Sequence, residues 1–217
     1  MPRSYREDYP GAWHHLMNRG VARAPVFYND LDRVSFLAEL SGAFIGNQIE
    51  AHAYCLMGNH YHVLVRSLEG KLSQAMQRLS SRYTHSFNQR HRRDGPLFRG
   101  RYLSVGITND AHLLQVLRYI HLNPVTAISC DQPEDWSWSS ANSYLTACRG
   151  HRGEWGQTHG SDPVAQVAGS LPLVTSEFLG MFGNLPSTSY LAFMQAGVDE
   201  RTLAFYRTVQ TGQEPWT

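Results

Sequence analysis

Three features of the 217-residue chain predict an α+β fold with an antiparallel sheet. Runs rich in β-branched and apolar residues, at 13–19, 49–57 and 60–65, read as strands. Between them lie stretches whose apolar residues recur at helical spacing. A two-residue Gly58-Asn59 turn joins two of the runs into a hairpin. The order is strand, helix, strand, strand, helix, strand, then one more helix. That is a split βαβ, ferredoxin-like plan with helices on one face of the sheet, and it leaves the other face open for a ligand.

The elements follow in order. Trp13 to Arg19 forms the first strand, closed by Gly20. Asn29-Asp30 caps a helix whose apolar face is Val34, Phe36, Leu37, Leu40 and Phe44, and Gly46-Asn47 stops it. Ile49 to Met57 is the second strand, antiparallel to the third, which begins at His60. Leu72 to Arg90 is a helix with Leu72, Ala75, Met76, Leu79, Tyr83 and Phe87 on its apolar stripe. Asp94-Gly95-Pro96 turns into an extended segment, Leu97 to Ile107, read as the fourth strand. Asn109-Asp110 caps a third helix from Ala111 to about Leu122, which Asn123-Pro124 is expected to end. Residues 1–147 thus make one domain, 148–163 a linker or loop around Arg149 to Gly156, and 164–217 a small extension. Two short helices are expected in that extension, at Phe178–Gly183 and Tyr190–Gln195.

Composition excludes several classes. A hydrophobic fraction of 42% supports a packed core. No apolar run approaches the ~18 residues of a membrane helix. Met1 to Tyr9 lacks an apolar signal region, so a cytoplasmic protein is expected. Cys55, Cys130 and Cys148 form no Cys-x-x-Cys pair, which argues against a disulfide framework and a zinc ribbon.

Net charge is only +1, but its distribution is uneven. From 66 to 101 stand Arg66, Lys71, Arg78, Arg82, Arg90, Arg92, Arg93, Arg99 and Arg101, against Glu69 and Asp94. Lys71 is the chain's sole lysine. Guanidinium forks pair with phosphate oxygens in a two-pronged way that lysine does not match. Such a stretch suits a phosphate backbone, and equally a solvated helix face.

The chemistry concentrates in Gly58-Asn59-His60-Tyr61-His62-Val63-Leu64-Val65. On a strand, His60 and His62 share one face, while Tyr61, Val63 and Val65 point to the other. Two imidazoles one residue apart can hold one divalent ion. On the third helix Tyr119 and Asn123 stand four apart, so their side chains face one spot. Should that spot be the histidine site, a phenol oxygen would meet a polarised phosphate. Taken singly, Tyr119 reads equally as a half-buried helix tyrosine and Asn123 as a helix stop.

Several ordered motifs resemble one family. They are His14-His15-Leu16-Met17-Asn18-Arg19-Gly20, Ala53-Tyr54-Cys55-Leu56-Met57-Gly58-Asn59-His60-Tyr61-His62, Gly95-Pro96-Leu97-Phe98-Arg99-Gly100-Arg101-Tyr102 and Tyr119-Ile120-His121-Leu122-Asn123-Pro124-Val125. Asp135-Trp136-Ser137-Trp138-Ser139-Ser140 also fits. Together they resemble the HUH single-strand DNA transposases that use one tyrosine, in particular the REP-associated tyrosine transposases and their orphan bacterial relatives. The resemblance runs from about Trp13 to about Gly197.

It implies a ferredoxin-like core and His60 and His62 as a metal pair, with Asn123 as a third ligand. It also implies Tyr119 as nucleophile and Mg2+ or Mn2+ as the cofactor, with no nucleotide cofactor. The expected partner is single-stranded or hairpin DNA, cut and rejoined through a 5′-phosphotyrosine, by a monomer or homodimer with no membrane association. Arg99, Arg101 and the cluster Arg90, Arg92 and Arg93 would hold DNA, with Arg19 a further candidate. Tyrosine at 61 departs from the aliphatic residue common there. Tyr61, Tyr83 and Tyr102 rival Tyr119 by residue type only. Two other readings stand beside this one. One is a catalytically silent DNA-binding relative. The other is a metal phosphodiesterase that activates water and needs no tyrosine. Relaxases usually reverse the order of histidines and tyrosine, which disfavours plasmid mobilisation.

Overall fold

The computed structural model describes residues 7–46, 48–148 and 187–211. Four strands form one sheet in the order β2-β3-β1-β4: β1 is Trp13–Arg19, β2 Ile49–Leu56, β3 His60–Ser67 and β4 Leu103–Ile107. Every neighbouring pair is antiparallel. Helix α1, Asp30–Ile45, joins β1 to β2, and α2, Leu72–His91, joins β3 to β4. This is the expected ferredoxin-like plan.

Local chemistry sets the boundaries. Asn29 accepts from the Asp32 N–H while the Asp32 carboxylate accepts from the Asn29 N–H, a reciprocal cap that starts α1. The Met57 N–H donates to the His60 carbonyl at 2.9 Å, so Gly58-Asn59 forms the tight hairpin turn. Gly20 closes β1 because the chain doubles back there. A Cβ at this position would lie 2.0 Å from the Ala24 carbonyl oxygen.

Three expectations are corrected. First, helices cover both faces of the sheet. Helices α1 and α2 cover one side, against Leu16, Tyr61, Val63 and Val65. The other side carries α3 (Asp110–Thr126), α4 (Ala141–Cys148), α5 (Ser187–Gln195) and α6 (Glu200–Thr211), with Leu113, Val116, Leu117 and Ile120 of α3 packed over Ala53, Cys55 and Leu64. The physical reason is visible in Val63-Leu64-Val65, which is apolar on both faces and needs cover on both. Second, α3 continues through Pro124. Proline lacks only one N–H here, in the last turn, and both Asn123 and Pro124 are buried by packing. Third, β4 is shorter than read. Residues 97–102 are irregular, tied to the end of β1 by Val21 N–H to Leu97 O (3.1 Å) and Arg99 N–H to Arg19 O (2.9 Å).

The Trp136–Ser140 stretch runs beside the outer edge of β2, with the Leu56 N–H donating to Trp138 O and the Ser140 N–H to Tyr54 O. It caps an edge that would otherwise present unpaired backbone. Of the expected tail helices, the second lies within α5. The first, at 178–183, and the linker at 149–156 lie outside the described residues. Among the described residues no helix is long and apolar enough to cross a membrane.

Arg90, expected with Arg92 and Arg93 to hold DNA, is engaged within the fold. It pairs with the fully buried Asp32, which His91 also contacts at 2.8 Å, so the end of α2 is fastened to the start of α1. His91, the Tyr28 N–H and Arg90 together hold the Asp32 carboxyl below its ordinary value against the opposing effect of burial. Arg90→Ala is expected to destabilise the fold by about 1–3 kcal/mol, since one partner of a buried carboxylate is lost while His91 remains. Urea unfolding would measure it.

Candidate active site

The hairpin places His60 and His62 on the sheet face beneath α3. The alternation holds as read: Tyr61 lies on the opposite face against Phe36 (ring centroids 4.7 Å) and Phe98 (5.8 Å). Because α3 persists through Pro124, Asn123 stays one helical turn beyond Tyr119 and reaches both imidazoles. Its Oδ1 lies 3.2 Å from His60 Nε2 and its Nδ2 lies 3.3 Å from His62 Nε2. The Tyr119 ring stands edge-on to His62, with centroids 5.3 Å apart. The structure therefore brings together four of the expected residues.

The rival tyrosines are elsewhere. Tyr83 donates to the Val26 carbonyl within the α1–α2 core, and Tyr102 is buried in the same cluster. A tyrosine that sequence reasoning missed is present instead. Tyr206 of α6 stacks on Tyr119 at 4.1 Å with ring planes 20° apart. Tyr206 also lies 2.6 Å from His15 Nδ1, and His15 Nε2 lies 3.0 Å from His62 Nδ1. His15 was visible only as one half of an adjacent histidine pair on a strand. Its partners come from 47 and 191 residues away.

Burial dominates the electrostatics. It pushes His62 well below an ordinary histidine, helped by His60 and His15, and it brings His15 to about 3, helped by His112. His60 is also lowered, by burial first and by Arg19, while its contact with Asn123 acts the other way. The three rings are neutral at neutral pH, which is the form that ligates metals.

The donor set fits a divalent cation on its hydrogen-bond logic. Among the described residues no three His, Cys, Asp or Glu cluster for a metal, so the set is two imidazoles and one amide. The Asn59 amide nitrogen donates to the Arg23 carbonyl at 3.1 Å, which turns its oxygen to His60 Nδ1 at 2.7 Å. Nδ1 therefore carries the His60 proton, and the Nε2 lone pair faces Asn123 Oδ1. Two acceptors 3.2 Å apart repel. Either an amide turned the other way or a cation between them relieves this contact.

The arginines divide into groups. Arg19 pairs with His60 in the β1–β3 register, and Arg99 is bonded to it through the backbone. Burial, then the neighbouring charges of Arg99 and Arg23, pull Arg19 below its ordinary value. Arg19 thus stands beside His60 with the charges of Arg23 and Arg99 near its own, and Arg101 is exposed two residues beyond Arg99. Arg92 and Arg93 end α2 on the α1–α2 side, Arg93 over the Phe87 ring at 5.6 Å. Arg90 is held by Asp32 as described.

Comparison with known proteins places the chain in a family. The IS200-like transposase family model matches residues 9–123, more than half of the chain. The chain belongs to the IS200-like transposase family. The solved structure of a REP-associated tyrosine transposase bound to a REP hairpin superposes with a TM-score of 0.57 at 19% identity, covering 67% of this chain and 86% of that one. It shows the same fold. A tRNA(His) guanylyltransferase from Saccharomyces cerevisiae matches at a TM-score of 0.41 and 11% identity over 85% of this chain and 82% of that one, too weak a likeness to bear on fold or function. No curated protein matches the sequence. As a member of this family the protein is a transposase of the HUH single-tyrosine type.

The buried neutral histidines make stability depend on pH. His15 and His121 hold values of about 3 in the folded chain, against an ordinary 6.5. Below 6.5 the unfolded chain binds protons that the folded chain refuses, so stability is full above 6.5 and falls from there toward 3. Each such histidine contributes a loss of up to about 1.4 kcal/mol per pH unit in that window. Thermal melting is expected to be flat from pH 8 to 7 and to drop steeply below 6, with a shallower drop in His121→Gln.

Proposed function

We propose that this transposase cleaves and rejoins single-stranded DNA at hairpin, REP-like sequences, with Tyr119 as the nucleophile. One observation carries the reading: Tyr119 stands against His62 on the helix whose next turn delivers Asn123 to both imidazoles. His60, His62 and Asn123 would hold Mg2+ or Mn2+, and their nitrogen donors favour the latter. When bound, the ion supplies charge that polarises a phosphate.

The chain's residues then act in sequence. Tyr119 loses its proton to solvent and its oxygen forms a bond to phosphorus. The P–O3′ bond breaks, and the leaving oxygen takes up a proton from solvent as a 3′-hydroxyl, so no net proton is gained or lost. The 5′-phosphotyrosine conserves the bond energy, so a second 3′-hydroxyl can attack it, restore the tyrosine and join new strands. No nucleotide cofactor is needed. The low exposure of Tyr119, 7%, limits attack on the intermediate by water. Arg19 beside His60, its neighbours Arg23 and Arg99, and Arg101 would hold flanking phosphates as bidentate forks.

A denaturing gel with labelled hairpin DNA from the flanks of the gene tests the chemistry. Wild type with Mn2+ is expected to form a covalent adduct that Tyr119→Phe abolishes and His60→Ala/His62→Ala reduces at least a hundredfold. Cleavage that survives Tyr119→Phe without an adduct would instead mean water is the nucleophile. Binding with no cleavage would mean a silent module.

The arginine assignment has its own readout. Arg99→Ala and Arg101→Ala are each expected to lower the slope of log affinity against log salt by about 0.7 for single strands. Arg90→Ala is expected to leave that slope unchanged.

A further inference from the structure

The C-terminal helix α6 reaches the candidate site through one continuous path. Tyr206 meets His15 at 2.6 Å, and His15 meets His62 at 3.0 Å. Both His15 and Tyr206 are fully buried, at 0% and 1% exposure. The helix is not loosely placed. Arg118, the residue before Tyr119 on α3, donates to the Phe193 carbonyl at 2.7 Å and to the Gly197 carbonyl at 2.8 Å, just ahead of α6. Its guanidinium lies over the Phe193 ring at 4.0 Å. Adjacent residues of one helix thus supply the candidate nucleophile and clamp the segment that stacks on it.

Each hydrogen bond has one donor and one acceptor, so the path is directional. For His62 to offer the Nε2 lone pair to a cation, its proton must sit on Nδ1. That proton goes to His15 Nε2, so His15 carries its own on Nδ1, and Tyr206 Oη must accept it. Run the other way, Tyr206 donates to His15, His15 donates to His62, and His62 Nε2 carries a proton that blocks a metal. We propose that His15 and Tyr206 are positioning residues for the reaction, fixing the orientation and tautomer of His62 so that its Nε2 faces the metal. Tyr206 also sets the face of Tyr119 by stacking. The inference rests on the function proposed above and assigns the C-terminal segment to the active site itself.

The decisive variant is Tyr206→Phe, which keeps the stacked ring and removes only the hydroxyl. His15 Nδ1–H would then be buried without its oxygen, and the pair would favour the tautomer that protonates His62 Nε2. Mn2+ binding to the metal-free full-length chain, read by electron paramagnetic resonance, is expected to weaken about tenfold. The adduct-forming rate at saturating DNA and limiting Mn2+ is expected to fall similarly, while DNA affinity without metal stays unchanged. His15→Leu is expected to weaken Mn2+ binding as well, and the double variant to be no worse than His15→Leu alone, because both act through one path. Tyr190→Phe removes a hydroxyl from His121, outside the path, and should bind Mn2+ as wild type does.

Mn2+ affinity of Tyr206→Phe equal to wild type, or adduct formation faster than wild type, would overturn the inference. The second result would make α6 a cover over Tyr119 and no support for it. Wild type that neither binds Mn2+ nor forms an adduct would overturn the proposed function, and this inference with it.

Discussion

The alternation of side chains along β3 is the constraint on which the rest depends. His60 and His62 share a face only because Tyr61 between them is committed to the other, where Phe36 and Phe98 enclose its ring. Burying Tyr61 therefore orients its neighbours. The turn fixes the phase: Met57 and His60 close the hairpin, so a slip of one residue would exchange the histidines with Tyr61. Such a slip would put two imidazoles into the α1–α2 core and a tyrosine beneath α3. The apolar packing on the opposite face thus guards the register of the chemical one.

The second constraint is the length of α3. A helix stopped at Leu122 would leave Asn123 with no defined direction relative to Tyr119. Continuing to Thr126 holds the two one turn apart and aims both at the sheet. The helix can do so because its apolar stripe docks on Ala53, Cys55 and Leu64, and that packing outweighs one missing backbone bond at Pro124. Core energetics and site geometry are set by the same contact.

Much of this was legible in the chain. The period-2 pattern of β3, the Gly58-Asn59 turn, the Asn29 cap and the apolar stripe of α2 each carry a local signal, and each element formed where that signal lay. What escaped was non-local. Pro124 reads as a stop because a helical window contains no information about the sheet below it. The uninterrupted Val63-Leu64-Val65 run did point to cover on both faces, but the strand–helix order alone suggested one. His15, Tyr206 and Arg118 gain meaning only from partners far along the chain. Arg90 shows the converse. It belonged by charge to a basic stretch, and a buried carboxylate on another helix claimed it.

These misses share a direction. Sequence brought His60, His62, Tyr119 and Asn123 toward one spot, because their spacing is dictated by one strand or one helix turn. It did not place the atoms that hold those groups still, because rigidity comes from elements brought together by folding. In this protein the supporting groups are a neighbouring strand through His15, the far end of the chain through Tyr206, and an arginine that ties that end to α3. A neutral imidazole has two tautomers of similar energy, and only its second hydrogen bond chooses between them. Two histidines on a strand are therefore half of a site, and the fold supplies the other half.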